Sequence, residues 1–147
     1  MTREEKATAL FAKSYNCAQA VFAAFSEEAG LDAAIALKIA NGFGGGVRCG
    51  EVCGAVTGAI MAIGLKCGFH VENDMKQKAY CNNKSMEFIE KFREAHGSEI
   101  CRVLLGVDIR HPSDHNAPEA REAHKSKCPV FVASAVRILE GMDIESN

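Results

Sequence analysis

The chain has 147 residues, a formal net charge of -2 and 24% charged residues, a size that fits one domain without disulfide staples. So balanced a charge leaves no electrostatic footprint for nucleic acid or an acidic membrane surface. The absence of Trp and a 7% aromatic content exclude base-stacking platforms as well.

Taken in chain order, Thr2-Arg3-Glu4-Glu5 reads as a capping box, with Thr2 as N-cap and Glu5 reaching back. Leu10 and Phe11 give this first helix its apolar stripe, and Ser14-Tyr15-Asn16 breaks it. Asn16 caps a second helix in which Cys17, Ala18, Val21, Phe22 and Phe25 recur at helical spacing, with Gly30 as its stop. Asp32 opens a third through Ile35 and Ile39, ended by Asn41-Gly42. Beyond the glycine cluster (Gly42, Gly44, Gly45, Gly46) lies the longest apolar run, Val52 to Leu65. It falls short of the ~20 residues of a membrane span and reads as a buried core helix. Gly50, Gly54, Gly58 and Ala62 recur there every four residues. They form a groove of small side chains that lets another backbone approach, within the chain or across a homodimer.

A fifth helix is predicted from about Asn73 to Ala95, with Met75, Ala79, Met86, Ile89 and Phe92 inward. Ser98 caps a short helix through Leu105, and "HPSDHNAP" (His111 to Pro118) is a long loop. The last helix is predicted to start at Pro129 and carries Val130, Phe131, Ala133, Val136, Ile138 and Leu139. No segment alternates with the period of a strand. The expected fold is all-α, a single compact helical bundle of about six to eight helices over residues 1–147.

Cysteine is the outlier, with seven residues at 17, 49, 53, 67, 81, 101 and 128. The N-terminal stretch "MTREEKATALFAK" lacks the apolar core of a secretory signal, so a cytoplasmic setting with reduced thiols is expected. Cysteines there act as metal ligands, redox groups or small buried hydrophobes. The segment "RCGEVCGAVTG" (48–58) admits three readings. A phosphate loop fits poorly, because GxGxxG begun at Gly42 or Gly44 puts Val47 or Cys49 in the sixth place, and no Gly-Lys-Ser/Thr follows. A dithiol would use Cys53 as attacking thiolate with Cys49, or one of Cys17, Cys101 and Cys128, as partner, although the Cys49–Cys53 spacing is C-x-x-x-C.

The third reading is a site drawn from several helix starts. Cys17 follows the cap Asn16, Cys53 opens the helix after the glycines, Cys101 follows Ser98, and Cys128 would itself cap a helix begun by Pro129. Unpaired N–H groups at a helix start favour thiolate by only ~0.3–1 kcal/mol, so neighbouring cations must add to them. Lys13, Arg48, Arg102 and Lys127 lie close in sequence. If the starts converge, Cys17, Cys53, Cys101 and Cys128 form a metal or thiolate site. Cys67 and Cys81 read as packing residues. His111 and His115 sit in a solvated loop with His124 downstream, and His70 and His96 lie near helix ends.

These residues carry a resemblance. Cys17 in "YNCAQAV", Cys53 opening "CGAVTG", Cys101 in "CRVLLG" and Cys128 in "KCPVFV" resemble the small C_GCAxxG_C_C family of redox-active proteins, from about residue 14 to 140. The resemblance implies a redox role for those four cysteines. Electron transfer through an iron–sulfur cluster held by the four is the first expectation. A metal-free thiol–disulfide protein and a structural zinc module with four cysteine ligands are the alternatives. A separate redox partner protein is expected in the first two cases.

Overall fold

The most enclosed helix is fixed at its start by a reciprocal cap. In the computed structural model, which describes residues 1–147, the Asn16 side chain accepts the Gln19 N–H at 2.9 Å, and Gln19 Oε1 accepts the Asn16 N–H at 2.9 Å. This opens α2 (Cys17–Ser26), whose Ala18, Ala20, Val21, Phe22, Ala23 and Ala24 are all buried. A helix apolar on every side must be surrounded. Around it pack α1 (Arg3–Ala12), α3 (Ala33–Ala40), α4 (Gly54–Cys67) and α7 (Pro118–Glu140). The long α5 (Met75–His96) lies against α4 and α7, and the short α6 (Cys101–Leu105) lies against α7. Seven helices and no strand confirm the expected all-α bundle. No helix is long and apolar enough to cross a membrane.

The predicted small-residue groove is filled from within the chain. A methyl group on Gly58 would lie 2.7 Å from the Ala18 carbonyl oxygen, and one on Gly54 would lie 2.9 Å from the Ala18 nitrogen. Both contacts are with backbone, so only glycine allows α4 to seat on α2. The core continues through Val21, Val56, Ile63, Phe88, Phe92, Val132 and Val136, all fully buried, each contributing about 1.5–3 kcal/mol.

Three boundaries and one face differ from the sequence expectation. The capping box at Thr2 is present as predicted, but α7 begins at Pro118 rather than Pro129. Pro118 occupies the first-turn position where a missing N–H costs nothing. Ala120 and Ala123 then give the charged first half of α7 a narrow buried face. Pro129 stands inside the helix, and Cys128 is therefore a mid-helix residue rather than an N-cap. The N-cap of α6 is Ile100, while the Ser98 hydroxyl accepts the Ile100 N–H at 3.0 Å. α4 starts at Gly54, because Val52 is extended in an antiparallel bridge with Ile100.

On α5 the buried residues are Phe88 and Phe92, with Tyr80, Cys81 and Ile89 half-buried; Met75 and Met86 are exposed at 60% and 57%, and Ala79 is exposed too. The inward stripe is thus rotated from the one expected. It runs through polar Gln77 and Lys84, which conceals it in the sequence.

Candidate functional site

The glycine cluster does not form a phosphate cradle. Gly45, Gly46, Val47 and Arg48 have successive φ values of 61, 63, 58 and 60°, a left-handed turn. For a β-branched residue such as Val47 this region is a true outlier, and strain of this kind costs of order 1–3 kcal/mol per residue. The turn is held by the Glu51 N–H donating to the Gly46 carbonyl at 2.9 Å. His115, from the 112–116 turn before α7, is also hydrogen-bonded through Nε2 to the Arg48 carbonyl at 3.1 Å. Its outcome is to turn the Arg48 side chain into a cavity and to lead the chain into the Val52–Ile100 bridge.

That bridge sets two thiols side by side. The Cys53 N–H donates to the Glu99 carbonyl at 2.8 Å, and the Cys101 N–H donates to the Glu51 carbonyl. A methyl group on Gly46 would lie 2.8 Å from Cys101 Cβ, so the loop passes directly over that residue. On the other side, the glycine at 54 lets the start of α4 approach the start of α2, where its added carbon would stand 3.1 Å from Cys17 Cβ. The "CGAVTG" motif is therefore a packing device: Cys53 caps α4, Gly54 and Gly58 admit Ala18, and Ala55 is fully buried.

Cys17, Cys53, Cys101 and Cys128 all line one cavity of about 650 Å³. Their relative exposures are 6%, 4%, 7% and 5%, so a reagent reaches them only through that cavity. The expected convergence thus holds at the level of a shared cavity, although just three of the four stand at helix starts. No three His, Cys, Asp or Glu side chains are drawn together closely enough to hold a single metal ion.

The thiols are not equivalent. Cys17, Cys128 and His124, one turn before Cys128 on α7, are neighbours on the cavity wall. The neighbouring Cys17 thiol and then the imidazole of His124 bring Cys128 down to about 6, against burial. Cys17 is pushed well up by the neighbouring Cys128 and by burial, and the neighbouring Cys128 raises His124. Burial pushes Cys53 up to about 12, outweighing the Ala55 and Val56 N–H groups at the start of α4. Burial does the same to Cys101, at about 12, with Arg48 opposing.

Of the remaining cysteines, Cys67 and Cys81 pack as expected, Cys67 inside the core and Cys81 half-buried against it. Cys49 donates its thiol to the Gly46 carbonyl at 3.4 Å and does not line the cavity. Cys67 and Cys81 are neighbours. Gln77 Nε2 reaches the Cys67 carbonyl at 2.6 Å, which brings the face of α5 bearing Cys81 against the end of α4. Of the four neighbouring cations, Arg102 is engaged with the Gly50 carbonyl and Glu51, and Lys127 Nζ with the Leu105 carbonyl. Arg48 alone of the four lines the cavity. His96, expected near a helix end, is packed against Phe92 and Phe131 and bonded to the Ser134 hydroxyl at 2.7 Å. His124 is the residue the sequence reading passed over. Its i,i+4 spacing to Cys128 becomes a signal only when α7 starts at Pro118.

An all-α bundle with four buried thiols on one cavity defines a cysteine-rich helical class of protein. The chain belongs to the C_GCAxxG_C_C family: residues 15–142 match the family model described as "Putative redox-active protein (C_GCAxxG_C_C)". No curated protein and no solved structure matches it.

Proposed function

We propose that the protein carries out thiol–disulfide redox chemistry at Cys128 and Cys17. The observation that supports this reading is the placement of these two buried thiols on one cavity wall, with His124 one turn from Cys128, and the opposite shifts of the two sulfurs. One sulfur of the pair is a thiolate near neutral pH, and the other keeps its proton. That division is what attack followed by resolution requires. The Cys128 thiolate attacks one sulfur of a substrate disulfide, forming a mixed disulfide and releasing a thiolate that takes up a proton. The Cys17 thiol then gives up its proton and attacks the Cys128 sulfur. The second substrate thiol leaves, and a Cys17–Cys128 disulfide remains. The substrate gains two electrons from the cysteine pair and two protons, one given up by Cys17 and one taken from solvent. A thiol-bearing redox partner would restore the pair.

A second reading is favoured by the derivation of four thiols from four separate parts of the chain, which a dithiol does not need. Cys17, Cys53, Cys101 and Cys128 would hold an iron–sulfur cluster, which supplies one-electron transfer when bound. The cavity's room and the cations on its wall suit an anionic group of that kind. A structural zinc module would need the same four sulfurs drawn closer around one ion than they stand here.

One experiment separates these readings: iron, zinc and sulfide analysis with a visible spectrum on anaerobically purified protein, followed by redox titration with peptide mapping. A colourless, metal-free protein with a reversible two-electron midpoint and a Cys17–Cys128 disulfide is expected. Iron with sulfide and a bleachable band would replace this reading by the cluster, and stoichiometric zinc without redox response would replace it by the structural module.

A further inference from the structure

The cavity wall carries charge that the dithiol itself does not use. Arg48, Arg121 and Lys125 line it, against the single carboxylate of Glu122. None of the three forms an ion pair within the chain, whereas Arg3, Arg93, Arg102, Arg110 and Arg137 all do. The contrast is sharpest between Arg48 and Arg102, which flank the same loop: Arg102 pairs with Glu51, and Arg48 is left facing the cavity. Arg48 also occupies a left-handed conformation, φ 60°, beside Val47 at φ 58°. The chain thus holds this guanidinium in place with a costly backbone, which glycine would adopt freely. Arg121 and Lys125 lie one turn apart on α7 and continue to Cys128 along the same helix. Cations clustered in a cleft focus the field there and raise the local concentration and arrival rate of anions. A guanidinium also offers paired donors that suit a carboxylate.

We propose that this cavity selects small anionic disulfides as the substrate class of the Cys128–Cys17 pair, with Arg48, Arg121 and Lys125 receiving the anionic groups. The inference rests on the thiol–disulfide reading. The cavity, about 650 Å³ in volume, falls within the range of pockets that enclose whole small molecules. The exchange is balanced as before: the substrate S–S bond breaks, the Cys17–Cys128 bond forms, and two anionic thiols leave, one proton coming from Cys17 and one from solvent.

The test uses the intact reduced protein and three disulfides of similar size that differ in charge: dithiodiglycolate (anionic), 2-hydroxyethyl disulfide (neutral) and cystamine (cationic). Rates of Cys17–Cys128 disulfide formation are measured at low and high salt. Each is normalised to the rate of the same disulfide with a free small thiol. The expected order is anionic, neutral, cationic, with the anionic compound about 10-fold ahead of the neutral one at low salt. Salt should compress that ratio, as should Arg48→Gln and, on the exposed face of α7, Lys125→Gln. Equal normalised rates would overturn the selectivity while leaving the dithiol chemistry standing, and so would a cationic preference. Failure of all three to oxidise the pair would remove the dithiol reading and this inference with it.

Discussion

His124 and Cys128 stand one turn apart on α7, and both line the cavity. The neighbouring Cys17 first, and His124 after it, make Cys128 the most acidic thiol of the cavity, at about 6, with Cys53 and Cys101 at about 12. Alkylation by iodoacetamide should therefore label Cys128 first, with a rate that rises through pH about 6 and then levels. In His124→Gln one of the groups holding the thiolate is gone, and the titration should move toward the ordinary thiol value of 9.0. Near neutral pH the labelling rate should fall about 10-fold. Peptide mass spectrometry after timed quenching reads both. An unchanged profile in the variant would show that the imidazole does not hold the thiolate.

Stability should peak between mildly acid and mildly alkaline pH. Cys53 and Cys101 are at about 12 when folded, against 9.0 for an ordinary thiol. The folded chain therefore binds more protons than the unfolded one across that window. Their contribution is complete below pH about 9 and is lost as pH rises toward about 12. Cys128 acts oppositely: its contribution is complete above about 9 and is lost as pH falls through about 6. Urea unfolding under reducing conditions should show a decline of a few kcal/mol on the alkaline side. In Cys53→Ala/Cys101→Ala that decline should shrink.

Glycines on α4 should respond to alanine with opposite signs. Gly58→Ala forces a methyl group to 2.7 Å from the Ala18 carbonyl oxygen, a backbone atom that cannot yield. The cost should be about 1–3 kcal/mol. Gly64, on the same helix, has nothing within 4 Å of an added carbon. Gly64→Ala should stabilise by about 0.5–1 kcal/mol through helix propensity alone. Thermal or urea denaturation of the two variants checks the pair together.

Cys67 and Cys81 form a second thiol contact, remote from the cavity, between the end of α4 and the middle of α5. Burial and the neighbouring Cys81 thiol push Cys67 up to about 12. The contact should therefore resist mild oxidants at neutral pH and cross-link under diamide at alkaline pH. Closing a loop of about 15 residues should stabilise the fold by about 3 kcal/mol in the chain-entropy picture. Mapping of the oxidised peptides, with Cys81→Ser as control, decides whether the bridge forms.

The sequence made the helical class legible because its caps are explicit: Thr2 with Glu5, Asn16 with Gln19, and Asp32 all bond as their residue types dictate. The convergence of four cysteines on one cavity was legible for a partly wrong reason. Cys17, Cys53 and Cys101 do open helices, but Cys128 joins them from the middle of α7. Pro129 was the misleading residue, since proline favours a helix start and is tolerated here in an interior. That one displaced boundary also hid the His124–Cys128 turn. The left-handed turn at 45–48 was illegible for a different reason, because neither Val47 nor Arg48 favours that conformation, and only the surrounding packing imposes it.

Cys17 and Cys128 come from near opposite ends of the chain, on α2 and α7. Contacts of such long sequence separation form late, after the loops between them have closed. Until α7 docks, Cys17, Cys53 and Cys101 lack one wall of their cavity and Cys128 stands outside it, so these four thiols are free to pair wrongly. Completing the fold and protecting the cysteines are then a single event, and oxidative refolding should yield scrambled species where reductive refolding yields the native bundle.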